Sequence, residues 1–265
     1  MESIKKNKKL MAGIVITSIV FILAFTGKIY TPYDPNEMDS TAKMASSSLE
    51  HLLGCDNFGR DIFSRVISGL GNTMMIALGT VGMGVALGTI AGAVTGYYGG
   101  LLDEILMRFN DALLAFPSIL LALLFISLIG AGKYNVILSL GIVFTPSYAR
   151  IVRSEFLRVR NLDYVSSARL MGASDARVMF VHILPNAYRV MLSTIAIGFN
   201  NAVIAEAGMS FLGIGVQPPD ASLGRMLSEA QTYLFVKPSY AFSIGLIIVL
   251  LILGFTFISE GLEEI

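Results

Sequence analysis

Six apolar runs, each about as long as a helix that crosses a lipid bilayer, take up most of this chain of 265 residues. They lie at 10–29, 70–97, 105–131, 134–152, 187–211 and 240–258. A spanning helix needs about 20 consecutive, mostly apolar residues, because hydrocarbon offers no water to bond an exposed backbone. One such run fits inside a large soluble core; six in a short chain do not. Only 14% of the residues are charged against 54% hydrophobic, where a soluble domain carries about 25% charge. The expected fold is all-α, a polytopic membrane protein with six transmembrane helices. Pro146 interrupts the fourth run.

The first run follows the basic start "MESIKKNKK". It is longer than the apolar core of a secretory signal, and no Ala-x-Ala site precedes the next polar stretch, so it is read as a membrane helix. Basic residues beside spans stay in the cytoplasm. Lys5, Lys6, Lys8 and Lys9 therefore place the N-terminus inside. Alternation places 150–189 inside too, where Arg150, Arg153, Arg158, Arg160, Arg169, Arg177 and Arg189 lie. The more acidic loop 28–69 falls outside, and six spans return the C-terminus to the cytoplasm.

Gly84, Gly88, Gly92 and Gly96 recur every fourth residue of the second run. A glycine face of this kind admits a second helix at close range. The stretch "SSARLMGASDARVMFVHILPN" at 166–186 breaks the apolar pattern. Helix formers end at Gly172, whose missing side chain permits a left-handed stop. Ser174 is placed to cap a second helix, with Asp175 favoured by the helix dipole, and Pro185 turns the chain back. Helix, elbow, helix is the expected local structure. Two readings stand: a surface offered to a cytoplasmic partner, or a basic loop that only sets topology.

This stretch resembles the coupling loop of ATP-binding-cassette importer permeases, written Glu-Ala-Ala, three residues, Gly, nine residues, Ile-x-Leu-Pro. Gly172, Leu184 and Pro185 keep that spacing; Ser166-Ser167-Ala168 replaces the triplet and His182 the isoleucine. The blocks "HLLGCDNFGRDIFSRVISG", "DEILMRFNDALLAFPSILLAL", "YARIVRSEFLRVRNLDYVSSARLMGAS" and "AEAGMSFLGIGVQPPDASLGRML" resemble the dipeptide, oligopeptide and nickel branch, and its C-type permease in particular. The resemblance implies a type I permease in a bacterial cytoplasmic membrane. It would carry peptides, nickel or a nickel chelate, beside a second permease chain, two ATP-binding subunits and an external substrate-binding protein. Residues 1–69 would form an N-terminal helix with an external loop, and 70–265 a permease core with its coupling loop at about 153–186. Tyr164, Ser166, Ser167, Ala168, Gly172, Ala173, Ser174, Asp175, His182 and Pro185 would meet an ATP-binding subunit. ATP and Mg would sit on those subunits, since Gly27-Lys28 and Gly132-Lys133 lack the rest of a phosphate-binding loop.

Asn200, Asn201 and Glu206 lie on the fifth run. An ionisable group at that depth faces a polar cavity or has a partner. Glu206 is thus either on the translocation path or bonded to a neighbouring helix, with Arg108 a candidate partner. Arg108 and Asp111 are spaced to pair with each other. Asp220 is a candidate cap for an outer amphipathic helix in which Leu223, Met226, Leu227, Ala230 and Leu234 share one face. His51 and Cys55 supply two ligands, short of the three or four of a zinc-type site, so no metal site is expected. No nucleophile triad, catalytic carboxylate pair or nucleic-acid patch stands out, so the chain is not expected to be an enzyme. The competing function is an ion- or proton-coupled carrier acting alone, with Glu206 as its coupling carboxylate.

Overall fold

The computed structural model describes residues 7–264; Lys5 and Lys6, used in the orientation argument, lie outside them. Helix α1 (Lys8–Ile29) begins at a cap in which the Asn7 carboxamide oxygen accepts from Leu10 N at 3.1 Å. Helix α2 (Ile62–Tyr98) starts earlier than the apolar run, because Asp61 caps it by accepting from Ser64 N at 2.7 Å. The 37 residues of α2 reach about 55 Å, more than the hydrocarbon thickness.

The third run is not one straight helix. It divides into α3 (Gly100–Leu114) and α4 (Ser118–Ile129), bent by 93°. Pro117 sits at the break with extended backbone (φ −55°, ψ 125°), and a proline also steers the residue before it away from helix. Pro146, by contrast, does not interrupt α5 (Lys133–Val159). It is buried inside that helix, and the Thr145 hydroxyl donates to the nearby Gly141 carbonyl at 2.8 Å.

The glycine face of α2 meets α5 as expected. A side-chain carbon on Gly88 would lie 2.5 Å from Tyr148 Cβ, and one on Gly96 would lie 2.6 Å from Phe156 Cβ. Beyond α5 come α6 (Asp163–Leu170) and α7 (Asp175–Arg177), which widens into a π turn (Val178–Ile183) and a 3₁₀ turn (Leu184–Asn186). Helices α8 (Tyr188–Phe211), α9 (Leu223–Gln231) and α10 (Pro238–Glu263) complete the described chain.

Two corrections concern α9. Its cap is Ser222, whose hydroxyl accepts from Arg225 N at 3.2 Å, while Asp220 pairs with Lys133 at 2.8 Å. Its apolar face packs into the bundle, where Leu223, Met226 and Ala230 are fully buried, but Leu234, expected on that face, falls beyond its end. Asp111 likewise pairs with Arg150 at 2.6 Å rather than with Arg108.

The contacts fix relative directions. Lys9 bridges to Glu260 and Glu264, both at 3.0 Å, so the start of α1 and the end of α10 share one face of the bundle. The end of α2 and the end of α5 lie on that face too, with the elbow between them. The loop 30–61 and α9 lie at the opposite face, joined through Arg60, Arg65 and Glu229.

Candidate coupling elbow and translocation groove

The elbow is built by local chemistry. At the end of α6, Ala173 N donates to Ala168 O at 3.1 Å and Gly172 N to Arg169 O at 2.9 Å. This pair of bonds closes a helix with a left-handed residue, and Gly172 has φ +84°. Ser174 then caps α7 by accepting from Arg177 N at 3.4 Å. The two short helices therefore form where the sequence places them, although the second one loosens into π and 3₁₀ turns before Pro185.

One side of the elbow is anchored. Val165, Val178, Met179 and Ile183 are buried with Ala93 and Tyr97 of α2 and Val152 and Phe156 of α5, and Ala168 is buried too. Tyr164 hydroxyl donates to His182 O at 3.4 Å, and the Asn186 side-chain amide donates to the same oxygen at 2.7 Å. The other side is bare. Ser166, Ser167, Gly172, Ser174, Asp175 and Pro185 are exposed, Ala173 is half-buried, and Leu170 and Met171 at the tip are 90% and 82% exposed. Leu170 and Met171 were not among the expected contact residues. Their apolar character beside a helix stop was the available signal. Ala168, expected to meet a partner, faces the core instead.

A groove of about 510 Å³ runs between α4, α5 and α8, lined by Ser118, Phe144, Ser147, Tyr148, Thr194 and Asn201 among others. Hydroxyl and amide groups punctuate an apolar wall. Of the three residues expected on a path, only Asn201 lines it. The Asn200 side-chain amide donates to Thr256 Oγ1 on α10 at 2.9 Å.

Glu206 is fully enclosed where α2, α8 and α9 meet. It accepts from the Thr73 hydroxyl at 2.9 Å and from the Ser210 hydroxyl at 2.7 Å. Each hydroxyl oxygen also accepts a backbone N–H: Leu223 N reaches Thr73 at 3.2 Å and Val216 N reaches Ser210 at 3.0 Å. The carboxyl group thus fastens three elements, and its partners are hydroxyls, not Arg108.

At the opposite face lies a charged cluster that the sequence reading did not assemble. Asp56 and Arg60 pair at 2.7 Å, and Arg60 and Arg65 both reach Glu229 of α9, at 3.1 and 3.3 Å. Arg65 is 1% exposed. The crowding of charges in "DNFGRDIFSR" was the signal; only the fold supplies Glu229. His51 bonds Asp61 at 2.9 Å while Cys55 is buried, where desolvation pushes its thiol pKa up. Among the described residues no group of three or more His, Cys, Asp or Glu side chains is placed to hold a metal.

The sequence profile of the binding-protein-dependent transport system inner membrane components matches residues 84–264. The chain is 35% identical to the dipeptide transport system permease protein DppC of Haemophilus influenzae, over 98% of this chain and 90% of that one. It is 36% identical to the glutathione transport system permease protein GsiD of Pectobacterium atrosepticum, over 98% and 87%. In fold it resembles inward-facing conformations of the MetNI methionine ABC transporter, with TM-score 0.60 at 18% identity over 74% of this chain and 93% of that one. The family profile covers well over half of the chain and the relatives span nearly all of it: the protein belongs to the binding-protein-dependent transport system inner membrane components, the transmembrane permeases of ATP-binding-cassette importers, in which separate subunits hydrolyse ATP.

Proposed function

We propose that this chain forms one wall of the membrane path of a peptide importer and receives the power stroke at its elbow. The carrying observation is the elbow itself. Its apolar tip, Leu170 and Met171, stands in water while its inner face is packed into the ends of α2 and α5. Bare apolar side chains on a firmly held segment fit a groove in another protein. In this reading the tip, with Ser166, Ser167, Gly172 and Ser174 around it, seats in an ATP-binding subunit. Two such subunits hold ATP and Mg, a second, dissimilar permease closes the groove from the other side, and an external binding protein delivers substrate.

Peptides are the substrate class we favour over nickel, because the two named relatives are permeases of a dipeptide and a glutathione transport system. The groove agrees: serine, threonine and asparagine side chains can pass a peptide backbone without holding a particular charge. Family membership displaces the carrier acting alone, and the enclosed Glu206 is better placed to fasten helices than to move a proton. We place Asn201 on the path.

The face with the elbow is assigned to the cytoplasm of a bacterial inner membrane. Arg150, Arg153, Arg158 and Arg169 gather there with Lys9, as the rule for basic residues requires. The start of α1 and the end of α10 share that face in this assignment.

The test is Gly172→Val. No neighbour lies within 4 Å of the first added carbon, so the left-handed backbone sets the main cost, about 1–2 kcal/mol. The variant should insert normally, yet capture ATP-binding subunits poorly or fail to couple their hydrolysis to uptake. Wild-type capture and wild-type uptake by inserted protein would overturn the reading.

A further inference from the structure

The last two residues of α2 grip the elbow. Tyr97 hydroxyl donates to Asp175 Oδ1 at 2.6 Å, and Tyr98 hydroxyl donates to Asp175 Oδ2 at 3.3 Å. The Arg169 guanidinium stands 4.8 Å above the Tyr97 ring. Asp175 opens α7 and Arg169 closes α6, so the Tyr97 ring touches both arms of the elbow at once. The ring is 8% exposed and is packed with Val165, Val178 and Ile183. Immediately above it, the Arg160 guanidinium donates to Gly96 O at 3.0 Å and ties this end of α2 to the end of α5.

The opposite end of α2 is held as firmly. Asn72 side-chain amide donates to Ala221 O at 2.7 Å, just before α9. Thr73 accepts from Leu223 N and donates to Glu206. Arg65 reaches Glu229. Helix α2 therefore bonds to the elbow at one end and to the start and side of α9 at the other. The elbow is joined through the chain only to α5 and α8.

A displaced elbow can thus act on the bundle by two routes. One is covalent, along α5 and α8. The other is through Asp175 into Tyr97 and α2. A buried aromatic ring with one cation over its face and one carboxylate at its hydroxyl resists both separation and shear. A neutral hydrogen bond on a mobile loop would not.

We infer that Tyr97 and Asp175 are positioning residues for coupling: together with Arg169 they pass motion of the elbow into α2, and α2 carries it to α9 at the outer face. The inference rests on the elbow being the docking site of an ATP-binding subunit. It assigns Asp175 an inward task instead of a contact with that subunit.

The experiment uses the whole importer in vesicles, with a dipeptide as the probe, and compares Tyr97→Phe, Asp175→Ala and Asp175→Asn. Three quantities are read: ATP-binding subunits retained on purification, ATPase rate, and dipeptide taken up per ATP. Tyr97→Phe keeps the ring and its packing and loses only the hydroxyl. It and Asp175→Ala should retain the subunits and hydrolyse ATP, while uptake per ATP falls at least fivefold. Asp175→Asn keeps an acceptor for the Tyr97 hydroxyl but loses the charge, and should recover only part of the uptake. Unchanged uptake per ATP in both Tyr97→Phe and Asp175→Ala overturns the inference. Loss of the subunits in Asp175→Ala with normal coupling in Tyr97→Phe also overturns it, because Asp175 is then a docking residue. If the wild-type chain retains no ATP-binding subunit, the underlying reading fails instead.

Discussion

Glu206 shows how a single buried polar residue is understood by accounting for its bonds. Its two oxygens receive the protons of Thr73 and Ser210, whose own oxygens are taken up by backbone N–H groups. Glu206→Leu strands both hydroxyls, at about 1–3 kcal/mol for each unsatisfied buried group. The purified complex should melt at a visibly lower temperature in detergent. Glu206→Gln keeps one acceptor and should melt close to wild type. Equal melting of the leucine variant would mean the hydroxyls find other partners. Cys55 offers a second test. Burial leaves no thiol surface and raises its pKa, and the thiolate is the reactive form. A maleimide should leave Cys55 unmodified in the folded protein at neutral pH and modify it after denaturation; rapid labelling of folded protein contradicts the packing around 51–61. Gly172 was legible from sequence because a left-handed stop is a local matter of one backbone angle. The partners of Glu206 were not, since Thr73 is 133 positions away and only helix packing brings it near.

Helices are the scale at which apolar runs mislead. A run reports composition, not continuity. Pro117 lies at a right-angle bend and Pro146 inside an unbroken helix, although both sit in oily sequence. The difference lies in the neighbours. Pro146 is buried in a helix clamped along the glycine face of α2. Around Pro117 the chain instead turns α3 across the bundle, where Asp103 and Asp111 find Arg153 and Arg150. The glycine face was read correctly because a four-residue repeat is intrinsic to a helix, but its partner, α5, had to come from the fold. Gly88→Leu should prevent that approach, since its first added carbon already collides with Tyr148 Cβ and the α5 backbone. Overpacking of this kind costs about 1–3 kcal/mol or more, and little inserted protein should be recovered. Gly82→Ala has nothing within 4 Å of the new carbon and should express at least as well as wild type. Similar yields for the two variants would refute the close α2–α5 contact.

Across the described residues, the start of α1, the end of α10, the basic segment and the elbow gather on one face, and the charged cap and α9 on the other. If the first face is cytoplasmic, Ser174→Cys in a Cys55→Ser background should be labelled from the cytoplasmic side only; labelling of intact cells by an impermeant reagent would invert the topology. The sequence by itself determined the all-helical membrane class, the approximate spans, the glycine face and the elbow. These follow from apolar length, helical period and the backbone freedom of glycine, all properties of consecutive residues. Tertiary structure alone decided that the apolar face of α9 is buried, that Asp220 pairs with Lys133 and not with its own helix, and that Asn201 but not Asn200 lines the groove. It also decided that Tyr97 joins α2 to the elbow. Each of these depends on which helical faces meet. In lipid that choice is made by close packing and by matching buried polar groups, between residues whose distance along the chain carries no signal of their contact.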